Sequence, residues 1–325
     1  MTNLFKILAL GLLLGNCSHK PKQFAPHSAA KIDFHQHFKE SVDIDEYFKV
    51  MKHFNIKKSV LLALKSPHNE YHDQNLFTMK MYKKYPKFIV PFVTFVENEP
   101  NALKIVKKFH KQGAKGIKFI GWLGRQVERY NFDLLKTSLL KVYRYCEIHD
   151  LPILFHIDFR KHEKKFHNKM ATILRKFPNL KVIVAHGGID LKNMRDFERH
   201  LTHPNFYIDL SFYGTYKEYW FKQVSRHRTK IRRFILKYPD QFLWATDLFP
   251  SSKKDDEYMY NVIEGSIQLV EDASYHRTEF KKLHKGKGLK LPPKILKKIY
   301  YKNAAKVLSL GNYGSRKVSK YRRKP

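Results

Sequence analysis

Short apolar runs alternate with amphipathic stretches along the chain from residue 31 to residue 308. The pattern predicts eight strands, each followed by a segment with apolar residues at helical spacing. The predicted strands are 31–37, 59–64, 88–96, 116–120, 152–157, 181–186, 206–210 and 242–247. Because strands that alternate with helices form parallel sheets, and eight such units can close on themselves, we expect an α/β protein with a single domain, a distorted TIM-like (β/α)8 barrel.

The predicted helices differ in character along the chain. Asp43 and Glu46 have the spacing of a capping box at the start of the first helix. Residues 216–238 form a long and strongly basic helical region, and residues 293–308 form the last predicted helix. Residues 274–291 contain many Lys and Gly residues, so we expect an inserted loop there.

Residues 1–17 have the pattern of an export signal. A single Lys precedes the apolar stretch 7–14, which is too short to cross a bilayer as a mature helix. Cys17 follows and resembles the acylated first residue of bacterial lipoproteins, although Asn16 replaces the small residue usual before it, so a plain cleaved signal peptide stays an alternative. We expect an exported protein of the bacterial cell envelope, lipid-anchored on a periplasmic or surface face through Cys17, with 18–30 as a flexible tether.

Basic residues greatly outnumber acidic ones. The chain has 63 Lys and Arg residues against 29 Asp and Glu residues, a net charge of +34, and one dense basic run is the tail 310–325. A solvated Lys-rich surface, an anionic membrane and nucleic acid would each suit this charge. Zinc-finger spacing, a basic heptad helix and an aromatic RNA-binding signature are all missing from the sequence, so nucleic acid is not expected as a partner.

Polar side chains recur at the carboxyl ends of the predicted strands. His35 and His37 lie two apart on the first strand, so their side chains point to the same side. His156 ends the fifth strand, His186 the sixth and Asp247 the eighth. In a barrel these ends meet at one face, where active sites form. Imidazoles and a carboxylate suit Zn²⁺ or a similar ion, which would lower the pKa of a bound water and polarise a carbonyl.

Together these motifs resemble those of the amidohydrolase superfamily. They are IDFHQH at 32–37, FH at 155–156, VAHGG at 184–188 and ATDLFP at 245–250, with an Asn-Ala-Ala element inside 301–308. The branch that the chain resembles is the amidohydrolase-related group that includes aminocarboxymuconate-semialdehyde decarboxylase. The likeness covers residues 31–309.

The resemblance implies a role for each strand-end residue. His35, His37 and His156 would bind the metal. Asp247 would bind it as well, or accept a proton from the metal-bound water. His186 would polarise the substrate carbonyl or shuttle a proton, although in two-metal relatives it is a ligand. The metal is expected to be zinc, with manganese or iron as alternatives.

Further residues are candidates for binding the substrate. Lys118 lies in the fourth strand, where the family places either a lysine that binds an anionic group or a carboxylated lysine that bridges two metals; a purely structural lysine is the third alternative. Trp122, Arg125 and Arg160 follow strands four and five and could line the pocket. Either Arg could pair bidentately with a carboxylate.

The expected activity is hydrolysis, or non-oxidative decarboxylation, of a small carbonyl- or carboxylate-containing substrate through a metal-activated water with Asp/His proton transfer. The expected partners are a small anionic molecule, a membrane reached through the lipid anchor and, by analogy with relatives, a second copy of the chain. A TatD-like metal-dependent nuclease is one alternative, but those enzymes carry a glutamate ligand where this chain has Lys118. A non-catalytic surface lipoprotein that binds a ligand is the other, and the presence of all five strand-end residues argues against it.

Overall fold

The computed structural model describes residues 27–64, 71–95, 100–120, 133–156, 163–189, 194–212, 217–250, 256–279 and 282–311. Eight parallel strands lie side by side in chain order and form a nearly closed barrel, which confirms the predicted fold. The barrel strands are β1 Lys31–Gln36, β2 Ile56–Leu62, β3 Ile89–Thr94, β4 Gly116–Ile120, β5 Ile153–His156, β6 Val182–Val184, β7 Phe206–Asp209 and β8 Phe242–Leu243. The helices between and after them are α1 Ile44–His53, α2 Tyr71–Lys84, α3 Ala102–Lys111, α4 Thr137–Ile148, α5 Glu163–Lys176, α6 Met194–Leu201, α7 Lys217–Lys237 and α8 Asp256–Glu271.

The barrel is distorted where its last strand meets its first. Strand β8 is only 2 residues long, so regular pairing with β1 does not form. Individual backbone hydrogen bonds cross the seam instead: the amide of Asp247 donates to the carbonyl of His35 at 2.9 Å, and the amide of His37 donates to Leu248 at 3.0 Å. These bonds attach the segment after β8 to the end of β1, which brings three polar strand-end residues together.

The final helical segment closes the end of the barrel opposite these polar residues. It consists of α9 Pro293–Lys297, a π-helical turn at Lys298–Lys302 and α10 Asn303–Val307. The side-chain amide of Asn303 donates to the carbonyl of Phe242, at the start of β8, at 2.8 Å. The apolar side chains of α10 join the interior cluster of the barrel, whose members include Ile32, Phe34, Phe92, Leu154, Ile183, Leu243, Ala304, Ala305 and Val307. The amino-terminal end of the barrel is therefore filled, and the polar residues collect at the carboxyl end.

A larger apolar layer lies between the strands and the surrounding helices, and it includes Phe38, Phe119, Phe155, Phe206 and Trp244. The predicted helix start at Asp43 is present: its carboxylate accepts from the amides of Asp45 and Glu46, both at 3.2 Å. Within the described ranges, no helix has both the length and the apolar character that crossing a membrane requires.

The prediction of an inserted loop at 274–291 was wrong. Residues Ser274–Glu279 (β9) and Lys282–Lys287 (β10) pair as an antiparallel hairpin directly after α8. The chain then returns along the end of α8, with Leu289 donating to the carbonyl of Leu269 at 2.7 Å. The hairpin was not visible in the sequence because its strands are polar and basic and lack an alternating apolar face.

Candidate metal centre

Six of the predicted site residues meet at the carboxyl end of the barrel. They come from β1, β4 and β5 and from the segments that follow β1, β6 and β8, and they are His35, His37, Lys118, His156, His186 and Asp247. His35 is fully buried, and Asp247, at 6% exposed, is nearly so. Trp122, Arg125, Arg160 and Cys17 lie outside the described residues.

His35 and His37 point to the same side, as their spacing predicts. Their Nε2 atoms are 3.1 Å apart, and each lies 3.3 Å from Oδ1 of Asp247. Strand β1 does not alternate simply here, because its register with β2 shifts between Asp33 and Gln36. The neighbouring Phe34 remains in the barrel interior, against Phe92. The irregularity therefore allows both imidazoles to face the barrel mouth.

The other ring nitrogen of each histidine is held by a fixed acceptor. Nδ1 of His35 donates to Oδ2 of Asp209 at 2.8 Å, and Nδ1 of His37 donates to the carbonyl of Leu62 at 3.0 Å. A neutral imidazole that donates from Nδ1 has a lone pair at Nε2. Both Nε2 lone pairs consequently face Oδ1 of Asp247, and none of these three atoms carries a hydrogen that could form a bond between them.

This donor set fits a divalent cation. Three electron-rich atoms converge, and the ammonium of Lys118, 3.1 Å from Nε2 of His35, can donate to only part of the set. Protonating the histidines is the other way to relieve the repulsion, but burial lowers the pKa of His37 and lowers that of His35 well below its usual value. Metal-binding histidines usually show this arrangement, with one ring nitrogen fixed by an outer acceptor and the other bare.

His186 and His156 extend the cluster. One ligand atom each of His35, His186 and Asp247 lies within 4.8 Å of the others, a spacing that could hold a metal ion. Nδ1 of His186 lies 2.9 Å from the carbonyl of Ser211, and its Nε2 lies 3.2 Å from Nδ1 of His156. The structure thus brings His186 as close to the centre as the predicted ligands, although the sequence placed it in a catalytic role beside them.

The charges at the site suit metal binding at neutral pH. Burial alone would raise the pKa of Asp247, but the adjacent His35, His37 and His186 hold it well below its usual value. Burial lowers the pKa of His156 well below its usual value and that of Lys118 to about 8. A carboxylate and neutral imidazoles are the protonation states in which these side chains bind a metal.

Asp209 is a residue of the candidate site that the sequence reasoning missed. It is fully buried at the end of β7, and its Oδ1 accepts from the amide of His186 at 2.7 Å, the amide of Ser211 at 3.2 Å and the Ser211 hydroxyl. With Nδ1 of His35 on its other oxygen, Asp209 orients the imidazole of His35 and also holds the backbone of His186. The rule that found Asp247, a polar residue at a strand end, would have found it too.

A second missed group is the buried Asp33, which supports the seam beside the site. Its carboxylate accepts from the backbone amide of Thr246 at 3.0 Å and from the Thr246 hydroxyl at 2.6 Å, and also from the side-chain amide of Gln36. Burial raises the pKa of Asp33 to about 7, with these hydrogen bonds acting in the opposite direction. The network positions the residue before Asp247.

The backbone at two of the site residues is unusual. His186 has a φ of 54° and Asp247 a φ of 52°, both in the left-handed region. This conformation costs most L-residues about 1–2 kcal/mol, whereas Asp, Asn and His adopt it more readily. Both residues lie in the segments that follow their strands, His186 two residues after β6 and Asp247 four residues after β8.

Comparisons with known proteins agree with this architecture. The sequence profile of the amidohydrolase family matches residues 32–310. No curated protein sequence matches the chain. Among solved structures, the fold is similar to that of a probable 2-pyrone-4,6-dicarboxylic acid hydrolase from Acinetobacter baumannii with citric acid bound, at a TM-score of 0.58 and 14% identity over 86% of this chain and 99% of that one.

Two further solved structures contain metal ions. A dihydroxybenzoic acid decarboxylase from Polaromonas with bound manganese and an inhibitor has a TM-score of 0.53 and 16% identity, covering 87% of this chain and 98% of that one. An amidohydrolase from Burkholderia multivorans with bound zinc has a TM-score of 0.57 and 10% identity, covering 86% and 99%. At these identities the likeness to solved structures shows the fold.

Proposed function

We propose a specific activity for this chain from the premise that it belongs to the amidohydrolase family and is a metal-dependent hydrolase or carboxy-lyase. The proposed reaction is hydrolysis of a small organic acid derivative, a lactone, ester or amide that carries a carboxylate. One observation supports it above all: the bare Nε2 atoms of His35 and His37 converge on the carboxylate of Asp247 in a buried site.

The residues that would hold the metal are His35, His37, His156 and Asp247, and zinc is the ion we propose. When bound, such an ion lowers the pKa of a water and polarises a carbonyl oxygen. Asp247, whose pKa lies well below its usual value, remains ionised at neutral pH, as either a metal ligand or a proton acceptor must be. His186 adjoins the same point and can move a proton to or from the substrate.

Lys118 is the proposed binding group for the substrate carboxylate. Its ammonium is buried at 1% exposed, lies beside His35 and is the positive group that β4 contributes to the centre. An anionic substrate group would offset the cost of burying that charge. The citric acid in the Acinetobacter structure is a polycarboxylate, which supports an anionic substrate here.

Non-oxidative decarboxylation is the second candidate. The Polaromonas decarboxylase has the same fold, and the reaction also needs a bound carboxylate and a proton donor. In this chain Lys118 would hold the acid group, and His186 would deliver a proton to the carbon from which that group leaves as CO₂.

Metal analysis followed by isotope labelling tests the proposal and separates the two reactions. We expect the purified protein to contain stoichiometric zinc, manganese or iron, and His37→Asn to lose it. The matched variant His149→Asn, at an exposed histidine directly after α4, should retain it. Hydrolysis in ¹⁸O-labelled water puts the label in the product carboxyl, whereas decarboxylation in D₂O puts deuterium on carbon. A parent protein without bound metal, as stable as its His35→Ala variant, would refute the metal centre.

A further inference from the structure

A basic cleft lies between α7 and the segment that follows the β9–β10 hairpin. It has a volume of about 620 Å³ and is lined by Arg228, Arg232, Arg233 and Lys290, with Leu236 and Leu289 among its apolar residues. That volume is in the range of small-molecule sites, about 300–1,000 Å³. The combination of guanidinium groups with an apolar lining suits a ligand that has an anionic head and an apolar body.

The cleft is held in shape by backbone contacts. Leu289 and Leu291 donate to carbonyls near the end of α8 at 2.7 and 2.8 Å, so the segment that forms one wall is fixed to that helix. Gly288 packs so closely against the carbonyl of Asp272 that a Cβ atom would collide with it. The Nε of Arg232 donates to the carbonyl of Lys290 at 3.4 Å, which joins the two walls.

The cleft has an excess of positive charge. Helix α7 contains eight Lys and Arg residues and a single Glu. Arg228 and Arg232 are four residues apart, so their like charges repel on one face of the helix. No carboxylate side chain lines the cleft in the part of the chain that the structure describes.

A neighbouring cleft on the same helix shows the contrast. It is smaller, about 270 Å³, and its lining includes Lys237 and Glu198. There the Glu198 carboxylate pairs with Lys237 and also accepts from the hydroxyl of Tyr238 at 2.9 Å. The second cleft thus contains its own anion, whereas the described lining of the arginine-lined cleft contains none.

The arginine-lined cleft is at the end of the barrel opposite the metal centre. It is lined by the second half of α7 and by residues that follow α8, and in a barrel the helices run back from the carboxyl face to the amino face. The chain also enters this end: Nε2 of His27 lies 2.9 Å from Oε1 of Glu271, at the end of α8. Ten residue steps separate Cys17 from His27, so a lipid anchor at Cys17 would lie at most about 36 Å from His27.

We propose that this cleft binds the phosphate of an anionic phospholipid headgroup, with the glycerol and first acyl carbons against Leu236 and Ala273. A guanidinium group binds phosphate bidentately. A cleft with several guanidinium groups therefore suits a phosphate ligand better than a ligand with a single carboxylate. The apolar lining favours a lipid over a nucleic acid backbone, which presents sugars beside its phosphates. Bound in this way, the barrel rests on a membrane by its amino-terminal end, and the metal centre opens away from the lipid. The proposal does not depend on the reaction at that centre.

The test titrates the purified protein with a short-chain phosphatidic acid below its micelle concentration. Arg228→Gln and Arg232→Gln each remove one guanidinium from the cleft, and Arg226→Gln removes one from an exposed position on the same helix outside it. We expect the two cleft variants to bind about tenfold or more weakly, as loss of a charge-assisted pair predicts, and Arg226→Gln to stay within about twofold of the parent. Inorganic phosphate should bind at least tenfold more weakly than the lipid.

Three results would overturn the proposal. Equal losses in Arg226→Gln and Arg228→Gln would mean that the net charge of the helix, and not the cleft, attracts the lipid. Inorganic phosphate that binds as tightly as phosphatidic acid would assign the cleft to soluble phosphates. A short single-stranded oligonucleotide that binds more tightly than the lipid would assign it to nucleic acid. Thermal unfolding checks that the variants fold. If Arg232→Gln does not fold, Arg228→Gln alone provides the test.

Discussion

Replacing Asp209 with Asn should weaken metal binding although Asp209 is not itself a proposed ligand. Its Oδ1 accepts from the amides of His186 and Ser211 and from the Ser211 hydroxyl, and its Oδ2 faces Nδ1 of His35. An asparagine has one carbonyl oxygen, which must stay with the three donors. Its NH₂ group is then directed at Nδ1 of His35.

The consequence for His35 is a change of tautomer. An NH₂ partner requires Nδ1 to be the acceptor, so the ring proton moves to Nε2, the atom that faces Asp247. An imidazole with a proton on Nε2 cannot bind a metal through that atom. Loss of such an outer partner usually reduces metal affinity about 10–100-fold, or about 1.4–2.7 kcal/mol.

Competition with a chromophoric chelator measures this effect directly as a dissociation constant for zinc. The control is Asp45→Asn, the same chemical change at an exposed position in the first turn of α1. The reasoning fails if folded Asp209→Asn and Asp45→Asn bind zinc with the same affinity as the parent, because the proposed hydrogen-bond pattern would then have no influence on His35.

Three further predictions concern stability and location. Burial lowers the pKa of Lys31 to about 7, below its value in the unfolded chain, so the unfolded state binds the extra proton and stability should rise between pH 7 and pH 10 by at most about 1.4 kcal/mol per pH unit. Urea unfolding should show a flatter pH dependence for Lys31→Met, and an unchanged slope would contradict the assignment. Gly116→Ala places a Cβ against the Phe92 ring and should lower the free energy of unfolding by about 1–3 kcal/mol, whereas a variant as stable as the parent would show that the ring moves freely. Cys17→Ser should shift the protein from the membrane fraction to the soluble fraction in high salt, where attraction to anionic lipid is screened, and retention there would argue against acylation as the anchor.

The elements that the sequence predicts well are those in which apolar periodicity decides the structure. Strand β4 has the predicted bounds, Gly116–Ile120, because a buried apolar strand has turn signals on both sides. Strand β8 ends at Leu243, four residues before the predicted end at Asp247. The difference arises because the segment after Leu243 leaves β7 and bonds individually to the end of β1, a tertiary effect that periodicity does not contain.

The sequence predicts which residues meet at the candidate site, but it does not predict how their side chains are oriented. Strand-end position brought His35, His156, His186 and Asp247 to one face, as the structure has them. The fixed Nδ1 partners are Asp209 and backbone carbonyls from neighbouring strands, and backbone acceptors leave no mark in a sequence. Metal binding by these residues remains a prediction that metal analysis will decide.

The left-handed backbone at Asp247 and His186 limits how this protein can change over evolutionary time. Most substitutions at these positions alter the chemistry and also add about 1–2 kcal/mol of backbone strain, a considerable part of the stability of a domain. Asparagine at position 247 alters the chemistry and tolerates the conformation, as glycine does. A homologue that has lost catalysis but keeps the barrel is therefore expected to carry Asn or Gly at the position of Asp247. Family members with either residue there are the first candidates for barrels that no longer act as enzymes.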